Sequence, residues 1–275
     1  MPELPEVETI VRGLRHKVVG QRIGGVSLRL PKILRCDQGE FVRRVPGRTI
    51  RDVRRRGKLI IIELSGGWSL LVHLKMTGQL VWTPQAQPPQ RHTHLVFRFR
   101  NCPFQLRYCD QRQFGYLLLL ETARLSDLPP LRDLGPEPLE IGESEFVELL
   151  VSRTRRIKPL LLDQSFVAGL GNIYADESLW RARAHPLTRA NRISLRKGRE
   201  LLRAVQSVLT AAIEHRGSSV DTYRDAVGQP GQFQSRLQVY GREGRSCPRC
   251  GRRIRRLVIS GRSSFFCPRC QRRLL

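Results

Sequence analysis

The sequence predicts an α+β protein of two domains, an amino-terminal helix with an antiparallel β-sandwich followed by a helical domain that ends in a hairpin held by two cysteine pairs. Three observations carry this reading. Short apolar or alternating runs punctuated by Gly and Pro fill the chain from Val26 to Leu120. Beyond a proline-rich stretch the apolar period becomes helical, and near the carboxyl end Cys-x-x-Cys occurs twice.

Taken in order, Val7, Ile10, Val11, Leu14 and Val18 fall at helical spacing, so residues 2–19 form a buried amphipathic helix. Eight strands follow, at Val26–Leu30, Thr49–Arg55, Lys58–Leu64, Ser69–Leu74, Gln79–Trp82, His94–Arg100, Phe104–Asp110 and Gly115–Leu120. Their number and turn signals such as Ser65-Gly66-Gly67 predict a sandwich or flattened barrel. Pro129, Pro130, Pro136 and Pro138 mark a linker at 128–139, which closes a first domain at 1–127. Helices are predicted at Glu143–Val151, Ile157–Gln164, Asn172–Arg181 and Ser194–His215. Residues 217–234 read as a long functional loop within a second domain at 140–240, and 241–275 form a separate carboxyl-terminal domain.

Charge narrows the class further. Forty-nine basic residues against 24 acidic give a net charge of +25, an excess that usually meets a polyanion, and only six of the 49 are lysines. Arginine binds phosphate bidentately, so the imbalance favours nucleic acid. The first ten residues hold three glutamates and no apolar h-region, which excludes a signal peptide, and no apolar run approaches membrane-spanning length. Seven cysteines, four of them clustered, predict a reduced, cytoplasmic protein, with Cys36, Cys102 and Cys109 as small core hydrophobes.

Four stretches carry chemistry. Removal of Met1 leaves Pro2 with a secondary amine. An α-amino group titrates near 7.7–8.0, so roughly a tenth is unprotonated at neutral pH, which makes a usable nucleophile. The same residues also suit an ordinary helix start, with Pro2 and Pro5 early and acidic side chains in the first turn. Cys247-x-x-Cys250, sixteen residues and Cys267-x-x-Cys270 place four thiolates around one zinc, with Ile254–Ile259 and Ser263–Phe266 as the intervening hairpin. All four ligand positions are then filled, so the ion is structural. From Gly241 to Leu275 there are eleven arginines and one glutamate, which makes the ribbon a phosphate-binding module.

Asp110 to Gly115 joins two strands and projects Arg112 and Phe114, an arrangement that can wedge a base step and fill the place of a flipped base. A core position for Phe114 is the competing reading. The turn at Gly169–Gly171 lets the backbone approach closely, and the amides that open the Asn172 helix suit a phosphate. His92-x-His94 has no third ligand nearby and reads as strand-edge histidines.

In combination these stretches resemble the bacterial formamidopyrimidine-DNA glycosylases, over nearly the whole chain. The matching runs are PELPEVET at the start, RRGK at Arg55–Lys58, HLKMTG, DQRQFG, AGLGNIYADE, VYGREG at Val239–Gly244 and GRSSFFCPRCQ. Leu4-Pro5 distinguishes the chain from the related endonuclease VIII proteins, which begin with glycine after Pro-Glu. The resemblance implies a helix–two-turn–helix in the second domain and a zinc-ribbon hairpin after it. It further implies a bifunctional glycosylase and AP lyase for 8-oxoguanine and formamidopyrimidines, acting as a monomer on damaged double-stranded DNA at the nucleoid, with one structural Zn2+. Carried over by position, Pro2 is the Schiff-base nucleophile, Glu3 the proton donor and Glu6 its support. Lys58 is the proton donor for β-elimination, and Arg262 grips phosphate and serves δ-elimination. Asn172, Lys158, His92 and Tyr240 fall among the DNA contacts, and Met76, Arg112 and Phe114 match the void-filling triad. The loop at Gly217–Phe233, including Ser218 and Tyr223, matches the one that closes over an everted base. The acidic Asp221 in this loop departs from so basic a surface.

Two other readings compete with this one. An endonuclease VIII-like enzyme of the same fold would prefer oxidised pyrimidines. A non-catalytic zinc-ribbon protein would bind nucleic acid by charge alone, and it leaves Pro2, Glu3, Glu6 and Lys58 without a purpose.

Overall fold

The structure, a computed structural model, describes residues 1–273. The described chain divides into two compact units, residues 1–132 with 215–234 and residues 133–214 with 235–273.

The first unit is built on helix α1 (Leu4–Val18). Its spacing of apolar residues turns Leu4, Val7, Ile10, Leu14 and Val18 to one face, each fully buried. Burial of each is worth about 1.5–3 kcal/mol, which anchors the amino terminus rigidly. Strands β1 (Ile23–Leu28), β2 (Ile50–Arg56), β3 (Leu59–Leu64), β4 (Trp68–His73), β5 (Gly78–Pro84), β6 (Thr93–Phe99), β7 (Phe104–Asp110) and β8 (Tyr116–Glu121) form two antiparallel sheets, ordered β1-β6-β7-β5 and β2-β3-β4-β8. All eight expected strands are present, with ends shifted by up to three residues. One core cluster joins α1 to both sheets.

A short helix α2 (Gln38–Arg44), absent from the sequence-based expectation, lies between β1 and β2. Asp37 caps it by accepting the Glu40 N–H at 2.6 Å. Phe41 is its only buried residue, so there is no apolar period to read.

Residues 217–234 depart from the expected domain plan, because they pack with the first unit and not with the helices. Trp82 N–H donates to the Ala226 carbonyl at 2.7 Å, and Gln79 Nε2 donates to the Thr222 carbonyl at 2.6 Å. Tyr223 and Ala226 belong to the same core as Val7 and Ile10.

In the second unit, α4 (Glu143–Val151) and α6 (Asn172–Arg181) pack on the long helix α7 (Leu195–Glu214), with α5 (Ile157–Leu161) beside α6; the single-turn α3 (Pro129–Arg132) precedes the boundary. Gly198 allows the close approach of α4, since a Cβ there would lie 3.0 Å from Val147 Cγ2. Much of the expected linker is integrated into this unit. Gly135 N–H donates to the Gln164 carbonyl at 2.9 Å, and a Cβ on Gly135 would lie 2.6 Å from the Phe166 backbone. The ribbon, β9 (Arg255–Ile259) paired antiparallel with β10 (Arg262–Phe266), clusters with these helices. The expected carboxyl-terminal domain also includes 274–275, which lie outside the described residues.

Candidate active site and nucleic-acid interface

The amino terminus enters α1 through a capping box. Glu6 Oε2 accepts the Glu3 N–H at 2.8 Å, and the Glu3 side chain accepts from the backbone of Glu6. Pro2 is buried, and Glu3 and Glu6 are 3% and 2% exposed. Both readings of this stretch therefore hold at once, since the helix start fixes Pro2 in place. Glu6 also reaches across the chain, its Oε1 accepting the Ser218 N–H at 2.7 Å. Gly217 has φ +76°, and a Cβ on it would stand 2.6 Å from Glu6 Oε1, so only glycine lets the loop approach so closely. Tyr223 Oη donates to the Glu6 carbonyl at 3.4 Å. Burial, followed by the nearby Glu6 charge, pushes the Tyr223 phenol far up, so it stays a donor. The loop closes on itself through Ser219 Oγ, which donates to the Tyr223 carbonyl at 2.8 Å and accepts the Gly231 N–H at 2.9 Å. Asp221 is exposed.

Lys58 follows Gly57, whose φ of +56° turns the chain from β2 into β3, and is 8% exposed. Arg55 holds this turn from below, donating to the Gly57 carbonyl at 3.1 Å and pairing with Glu8 of α1 at 2.9 Å. Half-burial raises the Glu8 carboxyl, but hydrogen bonds from Arg55 and Arg12 win and hold it below the usual range. His73, opposite Leu59 on β4, is lowered to about 3, first by burial and then by Lys75, Lys58 and Arg35. It is therefore neutral at physiological pH and adds no positive charge beside Lys58.

Asp110 organises the candidate wedge. Its carboxylate accepts from Gly115 N at 2.8 Å, Arg112 N at 3.2 Å and Thr77 Oγ1 at 2.5 Å. The Met76–Thr77 turn and the Arg112–Phe114 turn are thereby tied together. Gly115 is required here, because a Cβ would collide with Tyr108 Oη at 2.0 Å. Phe114 is 55% exposed, which removes the core reading, and the Arg112 guanidinium lies 4.9 Å from its ring centre. Met76 is half-buried. His92, at φ +70°, accepts the Asp110 N–H through its carbonyl at 3.1 Å, and its ring lies 6.3 Å from that of His94.

In the second unit, Lys158 and Asn172 converge on one carbonyl, that of Ser263, at 2.8 and 3.0 Å. Ser263 adjoins Arg262, which is exposed at the hairpin tip. Lys158 is 1% exposed and pairs with the equally buried Asp176 at 2.7 Å, and Asp176 Oδ2 accepts the Phe265 N–H at 2.9 Å. Burial pushes Asp176 up to about 7 against the opposing Lys158 charge. The Lys158 ammonium thus joins Asp176 of α6 to the Ser263 carbonyl of the hairpin. The Tyr240 ring stands against Phe265 at 5.3 Å, and the adjacent segment is held by Glu177, which accepts the N–H groups of Gln238, Val239 and Tyr240, each at 2.9 Å.

The ligand atoms of Cys247, Cys250, Cys267 and Cys270 lie within 4.8 Å of one another, with Cys247–Cys270 at 4.0 Å and Cys250–Cys267 at 3.5 Å. A ZnS4 tetrahedron with bonds of about 2.3 Å has edges of about 3.8 Å, so the cluster fits one structural Zn2+.

Sequence reasoning missed Glu8, His73, Asp110, Asp176 and Glu177. Each acts on backbone or on a distant partner, which leaves no local pattern. Only the Glu8-to-Arg12 spacing carries a helical signal.

A buried proline terminus, an exposed arginine–aromatic turn and an arginine-rich thiolate ribbon define an enzyme class that works on nucleic acid. Residues 1–117 match the family described as "Formamidopyrimidine-DNA glycosylase N-terminal domain", residues 134–224 its "H2TH domain", and residues 246–273 a "Zinc finger found in FPG and IleRS". The formamidopyrimidine-DNA glycosylase of Pelotomaculum thermopropionicum is 48% identical over 258 residues, 92% of this chain and 93% of that one. A solved complex between the Lactococcus lactis Fpg and an abasic-site DNA is similar at a TM-score of 0.93 and 38% identity, covering 98% of this chain and 100% of that one. The same Fpg with an N7-benzyl-Fapy-dG DNA gives a TM-score of 0.92 at 38% identity, covering 99% and 100%. The chain belongs to the formamidopyrimidine-DNA glycosylase family.

Proposed function

We propose that this protein is a base-excision DNA glycosylase with AP lyase activity, acting on oxidised purines in duplex DNA. The observation that supports it most is the fixed amino terminus: a buried proline beside two carboxyl groups, with Glu6 bonded both to the helix start and to the loop at Ser218. With Met1 removed, the Pro2 amine attacks C1′ of the damaged nucleotide and the base leaves with the electron pair of the glycosidic bond. Glu3 relays the proton at the opened sugar, and Lys58 assists protonation of the leaving base. The resulting iminium is the electron sink for β-elimination, in which Glu3 takes the C2′ proton and the 3′ phosphate is expelled with Lys58 as the proton donor. A second elimination, with Arg262 donating, expels the 5′ phosphate.

Met76, Arg112 and Phe114 fill the space left by the everted nucleotide, and the Ser218 carbonyl with the amides from Val220 to Tyr223 reads the base. Asn172 and Arg262 grip phosphates, His92 and Tyr240 contact DNA, and Lys158 acts as a positioning residue for Arg262. The zinc maintains the ribbon and takes no part in the chemistry. No helix among the described residues is long and apolar enough to cross a membrane. A monomer working in the cytoplasm on the nucleoid accords with this reading. Excision from 8-oxoguanine and thymine glycol duplexes tests the substrate class. The purine lesion should be released faster; a faster release of thymine glycol would make this an oxidised-pyrimidine enzyme.

A further inference from the structure

The second unit contains a cavity of about 670 Å³ that none of the roles above uses. One wall is formed by the zinc knuckles, with Arg249, Arg269 and Arg272, and Arg183 adds a fourth guanidinium. Arg249 is held in place. It donates to the Trp180 carbonyl at 3.0 Å and lies 4.0 Å over the Trp180 ring, at the carboxyl end of α6. The opposite wall is the start of α7, where Glu200, the only carboxylate among the described lining residues, is taken up by Lys197 at 3.0 Å and Arg196 at 3.7 Å.

A second, independent feature points to a ligand. Thr188, also in the lining, is 2% exposed, and its Oγ1 has no hydrogen-bond partner. A buried hydroxyl without a partner is unfavourable, and such groups are usually satisfied by a bound species. His185 in the same wall accepts the Leu187 N–H through Nδ1 at 3.1 Å. Burial and then Arg273 lower its pKa, so the neutral ring carries its proton on Nε2. The lining therefore combines cations with neutral donors, which suits oxyanion oxygens.

We propose that this cavity is a second phosphate site that receives phosphodiester oxygens of a nucleic-acid strand. It is distinct from the Asn172–Arg262 group. Asn172 opens α6 and the cavity lies at the other end of that ten-residue helix, about 15 Å away along its axis. The guanidinium forks match phosphate oxygens bidentately, and a chain of net charge +25 meets nucleic acid as its most abundant phosphate source. A free phosphate or nucleotide offers the same chemistry. The site does not depend on lesion removal, and a non-catalytic DNA-binding protein would carry it equally.

The test uses the full zinc-loaded chain with an undamaged duplex of about 40 base pairs and, separately, inorganic pyrophosphate. Arg183→Glu with Arg272→Glu should lower the slope of log K against log salt by about two, since each lost phosphate contact removes about 0.9. Arg43→Glu with Arg51→Glu, two exposed arginines of the other unit, is the charge-matched control and should shift the slope far less. Thr188→Val keeps the shape and should weaken duplex binding about threefold with the melting temperature unchanged or raised. A pyrophosphate affinity that depends on Arg183 and Arg272, with an unchanged duplex slope, would keep the phosphate site and overturn the nucleic-acid assignment. An equal slope change in the control, or no change in either probe, would overturn the site itself. Zinc content of each variant confirms that the ribbon has folded.

Discussion

Glu6 accepts the Ser218 backbone N–H at 2.7 Å through one carboxylate oxygen while the other accepts the Glu3 N–H at 2.8 Å. The loop that is proposed to read the base is therefore latched to the residue pair proposed to do the chemistry. Glu6→Gln turns one acceptor into an NH2 group facing an N–H. Loss of a charge-assisted hydrogen bond is worth about 1.5–3 kcal/mol, so base excision should fall roughly 10- to 100-fold. Cleavage at a preformed abasic site, which needs no base reading, should fall much less. Single-turnover rates on the two substrates check this, and hydrogen exchange should rise across 217–234.

Phe114 separates function from stability. Its ring is 55% exposed, so Phe114→Ala should alter unfolding free energy by no more than about 0.5 kcal/mol. Excision of a lesion in duplex DNA should nevertheless drop severalfold, because the proposed wedge is lost. A large fall in melting temperature would instead mean that the ring packs in a core.

Asp176→Asn should be strongly destabilising. It leaves the Lys158 ammonium, 1% exposed, without its counter-charge, and breaking a buried pair from one side costs about 3–5 kcal/mol. Urea unfolding measures the loss. The hairpin carrying Arg262 should be the first segment to exchange its amides.

His73 imposes a pH dependence. Its pKa is near 3 in the folded chain against 6.5 unfolded, so the unfolded chain binds the extra proton between these values. The stability it contributes is complete above about 6.5 and declines as pH falls towards 3. Between about pH 7 and 5.5 the loss should reach about 1 kcal/mol, and His73→Gln should flatten that part of the profile.

Removal of zinc tests the ribbon. The purified chain should carry one zinc per molecule, and Cys267→Ala or chelation should release it. Classical zinc ribbons lose their fold without metal, so duplex binding should weaken along with the loss of Arg262 from its position.

Most of the fold was legible because its signals are local. Glycine and proline separate the strands, and α7 shows its apolar period from Leu201 to Ala212. Helix α2 was hidden because Phe41 alone is buried along it. The placement of 217–234 with the sandwich was also hidden, since sequence adjacency assigned it to the helices while Trp82, Gln79 and Glu6 hold it in the first unit. The proposed catalytic side chains were found through their types and motifs. Asp110 and Glu177 were not, because a carboxylate that collects backbone N–H groups has no characteristic neighbours. Lys158 was singled out by its position in the motif, but its burial with Asp176 was not legible, because the two lie on different helices.

The most direct measurement is borohydride reduction of the protein with an 8-oxoguanine duplex, followed by peptide mapping of the adduct. With Met1 removed, as intact mass will show, the covalent link should lie on the Pro2 nitrogen, and Pro2→Gly should alter its yield without moving it from the amino terminus. No adduct, or one on Lys58 alone, would contradict a mechanism that begins at the proline.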